Sequence, residues 1–196
     1  MSRPDRLTRR GGAPEQLVTE RLVLRRPRQA DAPAIFERYA SDPLVTHYLA
    51  WPRHTSLEDT RVFVNFSDAE WRRWGCGPYM VYTAEDLRLV GSSGLSFESS
   101  ELASTGYVFA RDAWGRGYAS EVLRAMTDLA RSLGVRWLYG LCHVEHLASA
   151  RVMEKCGFSP EGIMRQHIAF PNISPLRADV LRYGITFDVP RSRRFL

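Results

Sequence analysis

The hydrophobic pattern is clearest in the second half of the chain. Val122, Leu123, Met126, Leu129, Ala130 and Leu133 recur every three or four positions, which is the stripe of an amphipathic helix. Upstream, Gly106 to Ala110 reads as a buried strand, and Arg111-Asp112 breaks the apolar run. Between strand and helix stand Gly115, Gly117 and Ala119, which leave almost no side-chain bulk. The unit is strand, glycine turn, helix N-terminus. The first-turn N–H groups of such a helix have no partner inside it and carry partial positive charge. A turn of small residues in front of them suits a phosphate-bearing ligand, although by itself the pattern is also compatible with a plain connection. Two specific phosphate motifs fail. A nucleotide P-loop needs Gly-Lys-Ser/Thr, and Gly117 is followed by Tyr118. A dinucleotide fingerprint wants a third glycine where Ser120 stands and an acidic residue after the next strand, where Trp137-Leu138-Tyr139 offers none.

The remaining pattern is a succession of short elements. Leu22-Val23-Leu24 is the first strand, followed by Pro27. Asp31 is placed to cap a helix that carries Pro33 in its first turn, with Ile35, Phe36 and Tyr39 facing inward. Leu44 to His54 is irregular. Ser56-x-x-Asp59 has the form of a capping box for a second helix with Val62, Phe63, Phe66 and Ala69 on one face, closed by Gly75 and Gly77. Tyr79 to Tyr82 and Leu89 to Gly91 are strands joined by a polar turn at Glu85-Asp86. Val135 to Cys142 is a further strand, and Leu147 to Cys156 a short helix with Gly157 at its C′ position. Phe158 to Ile168 and Ala178 to Phe187 form a final hairpin around Pro171-Asn172-Ile173-Ser174-Pro175.

After the strand Val135 to Cys142 comes H-L-A-S-A-R-V-M-E-K-C-G-F, His146 to Phe158. Together with Trp114-Gly115-Arg116-Gly117-Tyr118-Ala119, in this order and spacing, it resembles the GNAT superfamily of acyl-CoA N-acyltransferases. The W-G-R-G-Y-A-S-E and S-x-R-V-M-E-K-x-G-F flavour is similar to the RimJ/RimL-type branch, the N-terminal acetyltransferases of ribosomal proteins and their relatives. The resemblance runs from about Thr19 to about Asp188. It implies an α/β (α+β) fold: a mixed, mostly antiparallel sheet flanked by helices on both faces, with splayed central strands forming the acyl-CoA cleft. Residues 15–188 would be the acetyltransferase domain, 1–14 a flexible basic arm and 189–196 a basic tail.

Composition narrows the setting. A chain of 196 residues suits one domain with a sizeable core. Cys76, Cys142 and Cys156 show no framework spacing, which favours a reducing compartment. The N-terminus lacks the apolar stretch of a signal peptide, and no apolar run is long enough to span a bilayer. A cytoplasmic protein is expected. The net charge of +5 fits an acidic ligand such as CoA, and equally a basic protein with solvated tails. Expected partners are acetyl-CoA and an amine acceptor, with no membrane and nucleic acid only indirectly through a ribosomal substrate. A homodimer is compatible with the chain.

The resemblance also implies the chemistry. An amine attacks the thioester of acetyl-CoA directly and thiolate leaves. The amides of Gly115, Arg116, Gly117, Tyr118, Ala119 and Ser120, after Trp114, would hold the pyrophosphate, with the Arg116 charge nearby. Backbone groups of Tyr107, Val108 and Phe109 would align the pantetheine arm, and a free strand N–H would stabilise the oxyanion. Ser149 is the expected proton donor to the leaving sulfur; a helix serine bonded back to a carbonyl is the other reading. Met153 stands where many relatives outside this branch have a tyrosine. His146 stands at the usual asparagine of the pantetheine contact, and its imidazole could also help with protons. The central-strand carboxylate of many relatives is missing, Ser104 and Thr105 occupying that stretch, and neither Glu98 nor Glu101 is assigned as base. The region between the first two helices implies Tyr48, Trp51 and His54 as substrate-lining residues, although aromatic packing explains them equally. Cys142-His143-x-x-His146 invites a metal, but alternation along a strand puts Cys142 and His143 on opposite faces; no metal is expected. The acceptor would be a protein N-terminal α-amine or a small primary amine. The alternative from another class is a catalytically idle CoA-binding sensor or scaffold on the same fold.

Overall fold

The computed structural model describes residues 12–187. Most of the expected arm and all of the expected tail lie outside them. At its described end, Ala13 is buried and donates to the Gly75 carbonyl, and the Pro14 carbonyl accepts from the Tyr79 hydroxyl.

Among the described residues, eight strands form one sheet. They are β1 (Gln16–Val18), β2 (Leu22–Arg25), β3 (Pro78–Thr83), β4 (Leu89–Phe97), β5 (Leu102–Phe109), β6 (Trp137–His143), β7 (Ser159–Phe170) and β8 (Ser174–Thr186). Their spatial order is β1-β2-β3-β4-β5-β6-β8-β7. Every neighbouring pair is antiparallel except β5 and β6, which run parallel. Five α-helical segments connect them: α1 (Ala32–Ile35), continued by a π turn over Phe36–Ala40, then α2 (Pro43–Thr46), α3 (Leu57–Trp74), α4 (Tyr118–Ser132) and α5 (Leu147–Lys155). The mixed, mostly antiparallel sheet expected from the sequence is present.

Strand alternation builds two cores, one on each face. Tyr79 and Val81 join Leu22, Leu24, Val90 and the α4 stripe Val122, Leu123, Met126, Leu129 and Ala130, whereas Met80 between them joins Ile35, Tyr39, Val45 and Val64. The α4 period read from the sequence is therefore its buried stripe. The α3 face is not. Its capping box forms as expected, the Ser56 hydroxyl accepting the Asp59 N–H and the Asp59 carboxylate the Ser56 N–H. The buried positions, however, are Thr60, Val64, Ser67, Trp71 and Trp74, while Val62 and Phe66 are 59% and 55% exposed. Two tryptophans near the helix end set its rotation: the Trp71 indole donates to the Pro78 carbonyl and Trp74 stacks on Phe97.

Asp31 also departs from its expected role. Its carboxylate does not cap α1. It accepts two bonds from the Arg25 guanidinium, at 2.6 and 2.8 Å, one from the Tyr82 hydroxyl at 3.0 Å and one from the Arg28 N–H at 2.7 Å. Asp31 thereby ties the start of α1 to β2 and β3. Burial raises its pKa, but Arg25, the Arg28 N–H and Tyr82 outweigh that and hold it below the usual carboxylate range.

Deleting the carboxylate strands a partly buried guanidinium, so Asp31→Ala should cost about 3 kcal/mol. Because the folded pKa lies below the unfolded value of about 3.9, this contribution is fully present above that value and disappears as pH falls through the folded one. Urea unfolding should show a constant gap between wild type and variant from about pH 5 to 7, narrowing below about pH 4. A gap unchanged at low pH would show that the loss is packing alone.

Candidate active site

The site begins where two strands part. β5 and β6 pair only at Leu102–Trp137, Ala103–Leu138 and Ser104–Tyr139. Beyond Ser104, β5 stays with β4 through Phe109, and β6 stays with β8 through His143. Side chains staple the departing strand to its remaining neighbour: Ser93 Oγ donates to the Gly106 carbonyl and Thr105 Oγ1 to the Gly94 carbonyl, at 2.8 and 2.9 Å.

α5 bridges the gap. The Tyr107 hydroxyl lies 3.1 Å from Ser149 Oγ and donates to the Ser149 carbonyl at 3.2 Å. On the next turn, Met153 packs where a side chain at Gly140 of β6 would stand. Tyr107 thus meets Ser149 through its side chain, a role that its backbone reading did not contain. Burial raises the Tyr107 pKa, so the phenol keeps its proton. Burial also pushes the Cys142 thiol up to about 11, against a hydrogen bond from Ser149 that lowers it. A thiol held protonated is a poor nucleophile.

At the far end of β5 the chain turns through Arg111–Ala113 into the glycine loop. The Trp114 indole donates to the Phe109 carbonyl at 2.8 Å, so that carbonyl already has a partner. Gly115 and Gly117 adopt φ of 75° and 80°, conformations that glycine takes without steric cost. Gly117 is the N-cap of α4, and no other residue comes within 4 Å of the space a side chain at Gly115 would occupy. The loop therefore presents open backbone at a helix N-terminus, which fits an anionic guest such as a pyrophosphate.

A polar tie behind the loop went unread in the sequence. Glu121, in the first turn of α4, accepts from the Thr19 hydroxyl at 2.6 Å and from the Arg21 N–H and guanidinium at 2.9 and 2.8 Å. Arg21 also donates to the Arg116 carbonyl at 2.9 Å and lies over the Tyr118 ring. Burial raises the Glu121 pKa, but Thr19 and Arg21 prevail and keep it ionised. Its presence in W-G-R-G-Y-A-S-E was the available signal; its partners lie about a hundred residues away.

On the opposite side, the loop after α2 leans over α5. Tyr48 stacks on His146, with centroids 4.7 Å apart and planes at 17°, and tilts against His143 at 5.2 Å. His47 meets Tyr48 edge-on, and His143 meets Phe170 the same way. Trp51 packs on the smaller core, 5.0 Å from His54. His54 is engaged by α3 through Thr60 Oγ1 at 2.8 Å. Asn172, in the β7–β8 turn, pins this loop: its amide donates to the Thr46 and Trp51 carbonyls at 2.7 and 2.9 Å and accepts the Arg53 N–H at 2.8 Å. No periodicity marks Asn172. Among the described residues no group of three or more His, Cys, Asp and Glu is placed to hold a metal ion.

Comparison with known proteins agrees with this geometry. The chain is 28% identical over 172 residues to the uncharacterized N-acetyltransferase YoaA of Bacillus subtilis, covering 84% of this chain and 93% of that one. It is similar to the crystal structure of a GNAT-family acetyltransferase from Bacillus anthracis, with a TM-score of 0.75, 28% identity and coverage of 87% and 98% of the two chains. It is also similar to RimL, a ribosomal L7/L12 α-N-protein acetyltransferase solved with coenzyme A, with a TM-score of 0.77, 26% identity and coverage of 88% and 97%. The family model described as acetyltransferase (GNAT) domain matches residues 21–159. With open helix-terminal amides, parted central strands and that match across more than half its length, the chain belongs to the GNAT family of acetyltransferases, enzymes that transfer acetyl from acetyl-CoA.

Proposed function

We propose that the acceptor is a protein or peptide N-terminal α-amine, or a small primary amine, and that Ser149 protonates the departing CoA sulfur. The observation that carries the second part is the hydroxyl pair of Tyr107 and Ser149, 3.1 Å apart across the parted strands. A phenol that keeps its one proton can turn it from the Ser149 carbonyl to Ser149 Oγ, both within reach, and the serine O–H is then free to point into the cleft. Ser149 would then give its proton as the C–S bond breaks, while the amides after Gly115 hold the pyrophosphate and β5 backbone groups align the pantetheine arm.

The acceptor assignment draws on the likeness to RimL, whose substrate is an α-amine of a ribosomal protein. Chemistry supports it. An α-amine has a pKa near 8, against about 10.4 for lysine, so far more of it is neutral at pH 7. A cleft with Ser104 and Thr105 in place of a carboxylate gains from that lower value. The aromatic wall of Tyr48 and Trp51 would equally close over a small amine.

Gly117→Glu should abolish acetyl-CoA binding: a carboxylate would enter the phosphate seat, and φ of 80° strains any side chain. Calorimetry giving wild-type affinity would remove the loop from the binding site.

Ser149→Ala should lower kcat by about a hundredfold or more with little change in acetyl-CoA affinity, because a proton donor acts in the transition state. Turnover within about threefold of wild type would make Ser149 a packing residue.

The acceptor is decided by competition between peptides with free N-termini, the same peptides N-blocked but carrying lysine, and free small amines. Free N-termini or small amines should win. Preference for blocked lysine peptides would defeat both assignments, and acetyl-CoA binding without turnover on any amine would identify the idle module instead.

A further inference from the structure

An acceptor arrives mostly as an ammonium ion, and the lone pair that attacks the thioester is free only after one proton has left. Ser104 and Thr105 provide no carboxylate on the central strand for that proton. What the fold gathers beside Ser149 is imidazole. His146 is the N-cap of α5, and its carbonyl accepts the Ser149 N–H at 3.0 Å, so the two residues stand one turn apart. Its ring is covered by Tyr48, which arrives from the opposite side of the cleft. Three elements therefore converge on it: the loop after α2, the end of β6 and the start of α5.

We propose that His146 is the general base of the acetyl transfer, taking the first proton from the acceptor ammonium in the cleft between Tyr48 and Ser149. This rests on the acetyl-transfer reading above. The lone pair so freed attacks the carbonyl carbon, and the C–N bond forms as the C–S bond breaks. Ser149 protonates the sulfur and is reprotonated by the second proton of the nitrogen. His146 releases its proton to solvent. Amide, thiol and one proton result, with no change of oxidation state.

The surroundings suit a base. The groups near the His146 ring are His47 and Tyr48 from the α2 side and His143 at the end of β6, with Glu145 set against His143 and Ser149 bonded through its backbone N–H to the His146 carbonyl. The Glu145 N–H donates to His143 Nδ1 at 3.2 Å. The Glu145 carboxylate, 4.0 Å from the same nitrogen, is largely exposed. Burial first, then His143 and His47, holds His146 below the ordinary imidazole range. It is consequently neutral at pH 7, and a proton it accepts is passed on rather than retained.

The test is the pH profile of kcat/KM with a peptide α-amine of pKa near 8. An enzyme base acting on the ammonium form gives a level region from an acid limb below about pH 6.5 up to the amine pKa. An enzyme that must wait for neutral amine gives a rate rising about tenfold per pH unit up to that pKa. Wild type should show the level region. His146→Gln should show the rise, with a loss of about tenfold or more at pH 7 that shrinks above pH 8, and acetyl-CoA affinity within about threefold by calorimetry.

Wild-type activity within about threefold in His146→Gln at pH 7 would overturn the assignment. So would a loss confined to acetyl-CoA affinity, or an effect that appears in His143→Gln instead. Should the variant not fold, the wild-type profile with two amines of different pKa decides: a continuous rise to each amine pKa overturns the base. Wild-type inactivity on every amine would be a distinct result, removing the acetyl-transfer reading and this inference with it.

Discussion

The parting of β5 from β6 is the constraint on which the rest depends. A sheet normally satisfies its backbone by pairing every strand along its length, yet these two neighbours pair for three residues and then diverge. The divergence is held open from three directions. β4 keeps β5 through its ladder and the Ser93 and Thr105 staples; β8 keeps β6 along its whole length; α5 stands across the gap with Met153 against Gly140 and Ser149 against Tyr107. The cleft is thus a property of paired backbone rather than of a loop.

Both ends of the cleft are then fixed by polar ties to distant segments. At the glycine loop, Glu121 is held by Thr19 and Arg21, which places the first turn of α4 against the β1–β2 turn. An acidic residue in the first turn of a helix is favoured by the dipole, and its pairing with Arg21 keeps its charge from opposing an anion at the loop. At the acceptor end Asn172 performs the corresponding task with neutral groups, binding two carbonyls and one N–H of the Thr46–Arg53 segment. In a partly buried place, neutral pairs avoid the desolvation cost that charges would incur.

Between these ends stand groups whose protonation burial has shifted. Tyr107 and Cys142 are pushed toward their protonated forms, and His146 toward its neutral one. The same low-polarity surroundings therefore hold a phenol on β5 and a thiol on β6 in their protonated forms and an imidazole at the start of α5 in its neutral one. Opposite shifts in neighbouring groups are the usual way in which one site holds an acid and a base at one pH.

The sequence by itself determined what depends on neighbours along the chain. The period of α4, the Ser56–Asp59 capping box, the glycine turn and the short helix at Leu147 to Cys156 were legible because each is specified within a turn or two. Motif spacing made the fold legible. Tertiary structure decided what depends on residues far apart. The rotation of α3 was misread because Val62 and Phe66 fit a helical stripe, yet Trp71 and Trp74, seated against β3 and β4, bury more surface and turn them outward. Asp31 looked like a cap and became the partner of Arg25 and Tyr82, since a charged bidentate pair outweighs a single bond to a helix N–H. The Tyr107 hydroxyl, Glu121 with Arg21, Asn172, and the stack of Tyr48 on His146 each join segments about forty to a hundred and twenty residues apart. No local pattern encodes such contacts, because the chain between them is free to vary so long as the sheet brings their ends together.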